Sequence, residues 1–375
     1  MPKKALLFFD DTLSNLDLRY FCGFEVHDPF IAMQVGRRKI AALNALEFGR
    51  ALKESSLDQI VPLEDLTEAA LAAGAKQPGP ADQIAVLIQK EGVTKIEVPG
   101  DFPSSLLVKL SAMGFDLNVI DGEVFAQREI KTDEEAKAVR DGNRCAAVGF
   151  AAAEKRLRES TIKGRRLIHD GRVLTSERVR IAIQTACINA GGYPADTIVA
   201  GGDQACDPHC RGSGPLRANE LIIIDIFPRM FKTGYWGDMT RTFLRGEASD
   251  EQRRLIEAVA EAQKAALRTI KAGVMATVPH EACKQVFAER NYVTELRETG
   301  AVGFFHGTGH GLGLAVHEAP RMGTVKRRLR KGAVVTVEPG LYYPGLGGAR
   351  IEDVVQITDA KPKKLSSYHY TWELK

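Results

Sequence analysis

Short apolar runs bounded by turn residues recur through the first third of the chain, at 5–9, 30–35, 60–62, 95–98 and 117–120. Between the later runs lie stretches with helical spacing, 66–91 (interrupted by Pro78-Gly79-Pro80) and 104–113. Strands alternating with helices predict an α/β domain with a largely parallel sheet. No cluster of catalytic residue types accompanies them, so this part reads as a supporting domain.

Near residue 130 the pattern lengthens. Thr132-Asp133-Glu134-Glu135 has the spacing of a capping box and precedes an amphipathic stretch running to about residue 159. The boundary therefore falls within 124–131, which gives domains of 1–126 and 127–375. Two more helices are predicted. One covers 176–190 and is closed by Gly191-Gly192; the other covers 249–272, opens on the capping box Ser249-x-x-Gln252 and is closed by Gly273. The remaining segments predict strands that carry polar residues in unusual places. The run 221–224 leads into Asp225, 237–243 contains Asp238 and Arg241, 333–337 leads into Glu338-Pro339-Gly340, and 349–357 contains Arg350, Glu352 and Asp353. No repeat of 20–50 residues is present, which excludes a solenoid.

Composition narrows the classes. A length of 375 residues suits two domains, and 44% apolar content supports a full-sized core. A net charge of +3 from scattered basic residues gives no reason to expect a nucleic-acid partner. One basic run, Lys326-Arg327-Arg328-Leu329-Arg330-Lys331, precedes an apolar strand and reads as a solvated loop. Six irregularly spaced cysteines read as reduced thiols of a cytoplasmic protein. Cys206 and Cys210 flank Asp207 and His209, but a structural zinc site needs a second pair of soft ligands at short spacing. The apolar run at 5–9 is too short for a secretory signal, and no stretch approaches the roughly 18 apolar residues of a membrane span. A soluble, cytoplasmic protein without a membrane partner is expected.

The chemistry lies in the polar residues of the later strands. At a period of two, Val334, Thr336 and Glu338 share a face, as do Arg350, Glu352 and Val354, and Asp238, Thr240 and Thr242, while Asp353 points away. A carboxylate facing the core is costly unless it is paired or holds a cation. Asp225, Asp238, Glu338 and Glu352 on separate strands would need a larger counter-charge than one arginine supplies. Two divalent cations would provide it, although carboxylates scattered on edge strands remain the competing reading. Between the carboxylate strands, the run 304–318 holds His306, His310 and His317 among glycines, which let a backbone pass close to a ligand or turn left-handed.

In order, Asp225, Gly237-Asp238-Met239-Thr240-Arg241-Thr242, His306-Gly307-Thr308-Gly309-His310-Gly311-Leu312-Gly313, Val316-His317-Glu318, Val337-Glu338-Pro339-Gly340 and Arg350-Ile351-Glu352-Asp353 resemble the motifs of the pita-bread metallopeptidases. Within that family they resemble the aminopeptidase P and prolidase branch. The resemblance implies a mixed α/β (α+β) chain: an N-terminal creatinase/prolidase-like α/β domain, then a C-terminal pita-bread catalytic domain. Leu18-Arg19-Tyr20-Phe21-Cys22-Gly23-Phe24 carries the N-terminal part of the likeness.

It further implies that Asp225, Asp238, His310, Glu338 and Glu352 bind two divalent metal ions, with Asp238 and Glu352 bridging. Mn²⁺ is the first choice, and Co²⁺, Fe²⁺ or Zn²⁺ also suits such ligands. A metal-bridged hydroxide would attack an Xaa-Pro bond of a short peptide, in a dipeptidase or an aminopeptidase. Glu338 is implied as general base. His209, His306 and His317 are implied at the substrate site, with His209 and His317 acting in catalysis. Arg350 would fix the charge of a ligand-side or substrate carboxylate through its planar fork, or brace Asp238. A homodimer is implied as well.

The segment 226–237 departs from the family by two extra residues and by Phe227-Pro228-Arg229 after the first aspartate, which puts the rim of the site in question. Two other readings compete. A metal-independent creatinase-like amidinohydrolase shares the fold but lacks the complete ligand set. A non-catalytic pita-bread binding protein would have lost ligands or gained basic insertions.

Overall fold

In the computed structural model, which describes residues 3–298 and 300–375, the apolar runs of the first third become one six-stranded sheet. Its order is Gln59–Pro62, Arg38–Leu43, Phe30–Val35, Lys4–Asp10, Lys95–Val98, Leu117–Val119. The sheet is mixed: three of its five pairings are parallel, and Phe30–Val35 pairs antiparallel with both of its neighbours. The cause is local: Gly36, left-handed at φ 63°, lets the chain fold straight back as Arg38–Leu43. That strand opens on Arg38 and Lys39, so its start carries no apolar signal. Alternate residues cover both faces, Leu7, Met33 and Ile40 on one side and Phe8, Ala32 and Ala41 on the other. The helical stretch 66–91 resolves into Leu63–Ala72 and Pro80–Glu91, with Pro80 tolerated in the first turn. This unit is Met1–Ala126; the second is Gln127–Lys375.

The second unit opens on helix Asp133–Arg158, whose capping box forms as the sequence predicts. Glu135 N–H donates to Thr132 Oγ1 at 3.2 Å, and Thr132 N–H to Glu135 Oε2 at 2.8 Å. The helix predicted over 249–272 is shorter, Asp250–Thr269, because Ile270 is already extended; Gly273 turns left-handed beyond it. A helix at Thr277–Glu289, unsignalled by periodicity, follows it.

The two largest sheets of this unit have four and five strands. One orders Ile198–Gly201, Leu221–Ile226, Met239–Arg245 and Glu373–Leu374. The other orders Glu318–Met322, Gly309–Gly311, Val334–Val337, Asp353–Gln356 and Lys363–Lys364. Helices Asp133–Arg158 and Ser176–Asn189 bury Phe150, Val179 and Ile183 against Ile222, Ile224 and Phe243 of the first sheet. Helices Asp250–Thr269 and Thr277–Glu289 bury Val259 and Phe287 in a cluster with Val335 and Val355 of the second. The basic run 326–331 is not simply solvated. Arg327 and Arg330 pair with the buried Glu129, Arg328 Nη1 donates to Gly273 O at 2.7 Å, and Lys331 pairs with Asp359.

One backbone contact fixes how the long helix meets the first sheet. A Cβ on Gly142 would lie 2.4 Å from Gly237 N, and one on Gly237 would lie 2.1 Å from Gly142 C. The next residue, Asn143, uses Oδ1 to accept the N–H of Asp238 at 3.0 Å. Gly142→Ala is therefore expected to destabilise the protein by about 1–3 kcal/mol, as overpacking does. Urea denaturation would measure it, and an unchanged midpoint would contradict the close approach.

Candidate metal centre

Each ligand candidate sits where a strand ends or breaks. Asp225 lies near the end of Leu221–Ile226, opposite Thr240 across the ladder, and Asp238 immediately precedes Met239–Arg245. Glu338 follows Val334–Val337, its N–H donating to Thr308 O at 2.8 Å. The segment 349–357 is not one strand: Gly347–Arg350 and Asp353–Gln356 are separated by Ile351 and Glu352. In that gap Glu352 N–H donates across to Thr240 O at 3.0 Å. Its carboxylate accepts Thr240 Oγ1–H at 2.8 Å.

Two glycines of the histidine run, Gly309 and Gly311, serve close packing between strands. Gly309 and Gly311 are not left-handed. A Cβ on Gly309 would lie 2.0 Å from Thr336 O, and one on Gly311 2.0 Å from Ala319 O. They let the strand carrying His310 press between its neighbours.

Ligand atoms of Asp238, His310 and Glu352 all lie within 4.8 Å of one another, and all three residues are buried. His310 Nδ1–H donates to Gly311 O at 3.1 Å, which leaves Nε2 facing the acids, 3.2 Å from Glu338 Oε1 and 3.7 Å from Asp238 Oδ2. Thr336 Oγ1–H donates to Glu338 Oε1 at 2.9 Å. Asp225 turns Oδ2 to Arg350 Nη2 at 2.7 Å. Arg350 thus pairs with a carboxylate of the ligand candidates, Asp225 rather than Asp238, and its fork also reaches the Tyr342 hydroxyl at 3.1 Å.

The charges do not balance. Burial raises the pKa of Asp225, Asp238 and Glu352, and their mutual repulsion and that of Glu338 add to it, against Arg350. Burial also opposes charge on Glu338 and His310, but their contact outweighs it, holding Glu338 at about 2 and His310 at about 9. Arg350 and His310 thus face four carboxylates. The Oδ1 of Asp225 is buried without a hydrogen-bond partner among the described residues. An orphaned carboxylate oxygen beside acids short of counter-charge, with one imidazole, fits hard divalent cations.

The other sequence candidates spread around this cluster. His317 stacks edge-on over His310 at 4.4 Å between ring centroids and is held down to about 4 by partial burial and by the charge of His310. His209 is exposed, and its charge acts on His317. His306 commits both ring nitrogens, Nδ1 to Gly307 O at 2.7 Å and Nε2 to the Tyr342 hydroxyl at 2.8 Å. Cys206 and Cys210 are free, and burial pushes the Cys206 thiol up to about 12.

The roles of several supporting residues escaped the sequence reading. Tyr342 has the same strand parity as Glu338 and Gly340, the one signal available for it. Arg241 donates to Glu352 O at 2.6 Å, Thr240 O at 2.9 Å and Asp353 Oδ1 at 3.0 Å, which explains why Asp353 faces away. Arg321 is exposed and acts on His317, with no side-chain partner among the described residues. The long segment 226–237 delivers Trp236 to the strap that carries His317. Trp236 N–H donates to Gly313 O at 2.9 Å and its indole Nε1–H to Leu314 O at 3.0 Å. From the other side, Glu318 is gripped by Lys131 and Arg128 and accepts Ala315 N–H at 3.3 Å.

Residues 137–359 match the model of metallopeptidase family M24. The Xaa-Pro dipeptidase of Pyrococcus horikoshii is 30% identical over 281 residues, 74% of each chain. That of Pyrococcus furiosus is 36% identical over 182 residues, and there the chain spans only 49% of the relative's length. Among solved structures, the prolidase from Pyrococcus furiosus has a TM-score of 0.77 at 25% identity, covering 97% of this chain and 96% of that one. The X-Pro aminopeptidase from Thermotoga maritima has a TM-score of 0.83 at 23% identity, covering 100% and 98%. The likeness gives the chain the pita-bread arrangement its motifs resemble.

Trp236→Phe removes the indole donor while keeping an aromatic ring. Losing one such bond, about 1 kcal/mol, should speed amide hydrogen exchange over 314–317 by about fivefold and leave the His310 amide unchanged. Unaltered exchange in the strap would show that Trp236 does not hold it.

Proposed function

Because the chain belongs to metallopeptidase family M24, we propose that it hydrolyses Xaa-Pro bonds in short peptides with two divalent metal ions. Asp225, Asp238, His310, Glu338 and Glu352 would hold them. The observation that carries this reading is the convergence of four carboxylates and one imidazole where Asp225 keeps a buried oxygen with no hydrogen-bond partner among the described residues. Bound there, such ions would bring the pKa of water towards neutrality and polarise a carbonyl.

The chain's own residues account for the rest. Glu338 is the most exposed of the acids touching His310, with 17% of its side chain accessible against 6% for Asp238. It is therefore the carboxylate placed to take a proton from an attacking water and return it to the leaving amine. His317 and His209 stand at the open side, where a neutral imidazole can steady the substrate carbonyl and the oxyanion that replaces it. His306, with both nitrogens committed, shapes the wall through Tyr342 and does not meet the carbonyl itself. Arg321, with no side-chain partner among the described residues, lies near His317 and suits the terminal carboxylate of a very short substrate, which favours a dipeptidase over an aminopeptidase.

In this reading Mn²⁺ is the working metal, in keeping with a set dominated by oxygen donors. The unit Met1–Ala126 is the creatinase/prolidase-like partner of the catalytic unit Gln127–Lys375. Six free thiols suit a reducing cytoplasm. No described helix is long and apolar enough to cross a membrane. The exposed apolar residues Ile188, Tyr193 and Phe231 near the end of helix Ser176–Asn189 are the surface a homodimer would cover.

The test is a panel of Xaa-Pro dipeptides, Xaa-Pro-Yaa tripeptides and Xaa-Ala controls with Mn²⁺-loaded protein. Dipeptides with proline should give the highest kcat/KM, and Glu338→Gln should lower kcat by about 10²–10⁴-fold. Cleavage of no Xaa-Pro bond would overturn the assignment, and full activity of Glu338→Gln would remove its role.

A further inference from the structure

A cleft of about 670 Å³ opens in the second unit between the end of helix Asp250–Thr269 and the turn leading into Lys363–Lys364, and none of the metal-ligand candidates lines it. Lys264, Arg268 and Lys271 come from one wall, and Lys361 and Lys364 from the other. Favourable interaction with the helix dipole accounts for a cation in the last turn, such as Arg268, but not for lysines on the facing wall. Lys364 is held by Asp353 at 3.0 Å. The side chains of Lys264, Arg268, Lys271 and Lys361 have no hydrogen-bond or ion-pair partner among the described residues.

The acids that could neutralise them are engaged elsewhere. Glu261 pairs with Arg290, Asp359 with Lys331, and Asp353 with Arg241 as well as Lys364. No acidic side chain lines the cleft. In a chain with 51 basic and 48 acidic residues, an enclosure of five cations is a local departure from the balanced surface. Like charges at Lys264 and Arg268, four residues apart on one helix, repel one another unless an anion sits between them.

The floor says more about the occupant. It is aliphatic, from Leu267, Ile270, Val355 and Pro362, and no aromatic side chain lines it, so nucleic-acid bases would find nothing to stack on. The volume is that of a small-molecule site. Lysines act as point charges for phosphate, and Arg268 adds a planar fork. We propose that this cleft binds a free small molecule carrying phosphate charge on an aliphatic body, at a site apart from the metal centre.

Hexyl diphosphate and inorganic pyrophosphate, titrated calorimetrically into the metal-loaded full chain at low and moderate salt, provide the test. Hexyl diphosphate should bind saturably, about tenfold tighter than pyrophosphate because of the apolar floor, and more weakly as salt rises. The double substitution Lys264→Glu with Arg268→Glu should weaken it by at least about tenfold. Metal content, urea midpoint and peptide turnover should stay as in the parent, and Lys326→Glu, outside the cleft, should bind normally. Absence of saturable binding overturns the proposal. So does binding undiminished by the double substitution, which would assign the heat to the metal centre. Equal affinity for the two probes removes the aliphatic body. Sedimentation with phosphatidic acid vesicles in the absence of any response to hexyl diphosphate would transfer the phosphate to a lipid surface and overturn the free ligand.

Discussion

Four carboxylates buried side by side, with a single guanidinium and one imidazole among them, form an arrangement that burial alone would drive to protonation. Asp225, Asp238 and Glu352 are all pushed upward, each by burial first. A protein that maintains such a cluster must supply positive charge from outside its own side chains, or lose stability to the cost of desolvation. The surrounding structure acts to keep the four acids from relaxing apart. Thr240 and Thr336 donate to Glu352 and Glu338, Arg350 fixes Asp225, and Asn143 secures the N–H of Asp238. Arg241 clamps the Glu352 carbonyl from behind while Asp353 neutralises it.

These constraints explain features that look unrelated in the sequence. Gly142 and Gly237 permit the long helix to touch the chain entering Asp238, and Gly309 permits the His310 strand to lie against Thr336. A side chain at any of these positions would move a ligand without touching one. The segment 226–237 has a comparable meaning. It carries Trp236 to the strap of His317, so a segment at the rim of the site also holds the backbone before that histidine.

Much of this was legible from residue order. Capping boxes at Thr132 and Ser249 marked helix starts, because reciprocal hydrogen bonds need only local residues. The acidic residues within apolar runs marked the site. What was not legible depended on partners far along the chain. Glu352 was read on a continuous strand, whereas its N–H reaches Thr240 and the strand breaks there. Arg350 was expected on a ligand-side or substrate carboxylate or on Asp238, and only the fold could single out Asp225 and add Tyr342. The hairpin at Gly36 was missed because its second strand begins with charged residues, and the basic run 326–331 hid its contacts with Glu129, nearly two hundred residues earlier.

Titrating metal-free protein with Mn²⁺ in two buffers of different ionisation enthalpy addresses the central claim most directly. Carboxylates whose pKa is raised carry protons that a cation must displace, so binding should release protons and weaken as pH falls. The account predicts about two equivalents bound per chain with net proton release. A single equivalent, or binding of two without proton release, would contradict it.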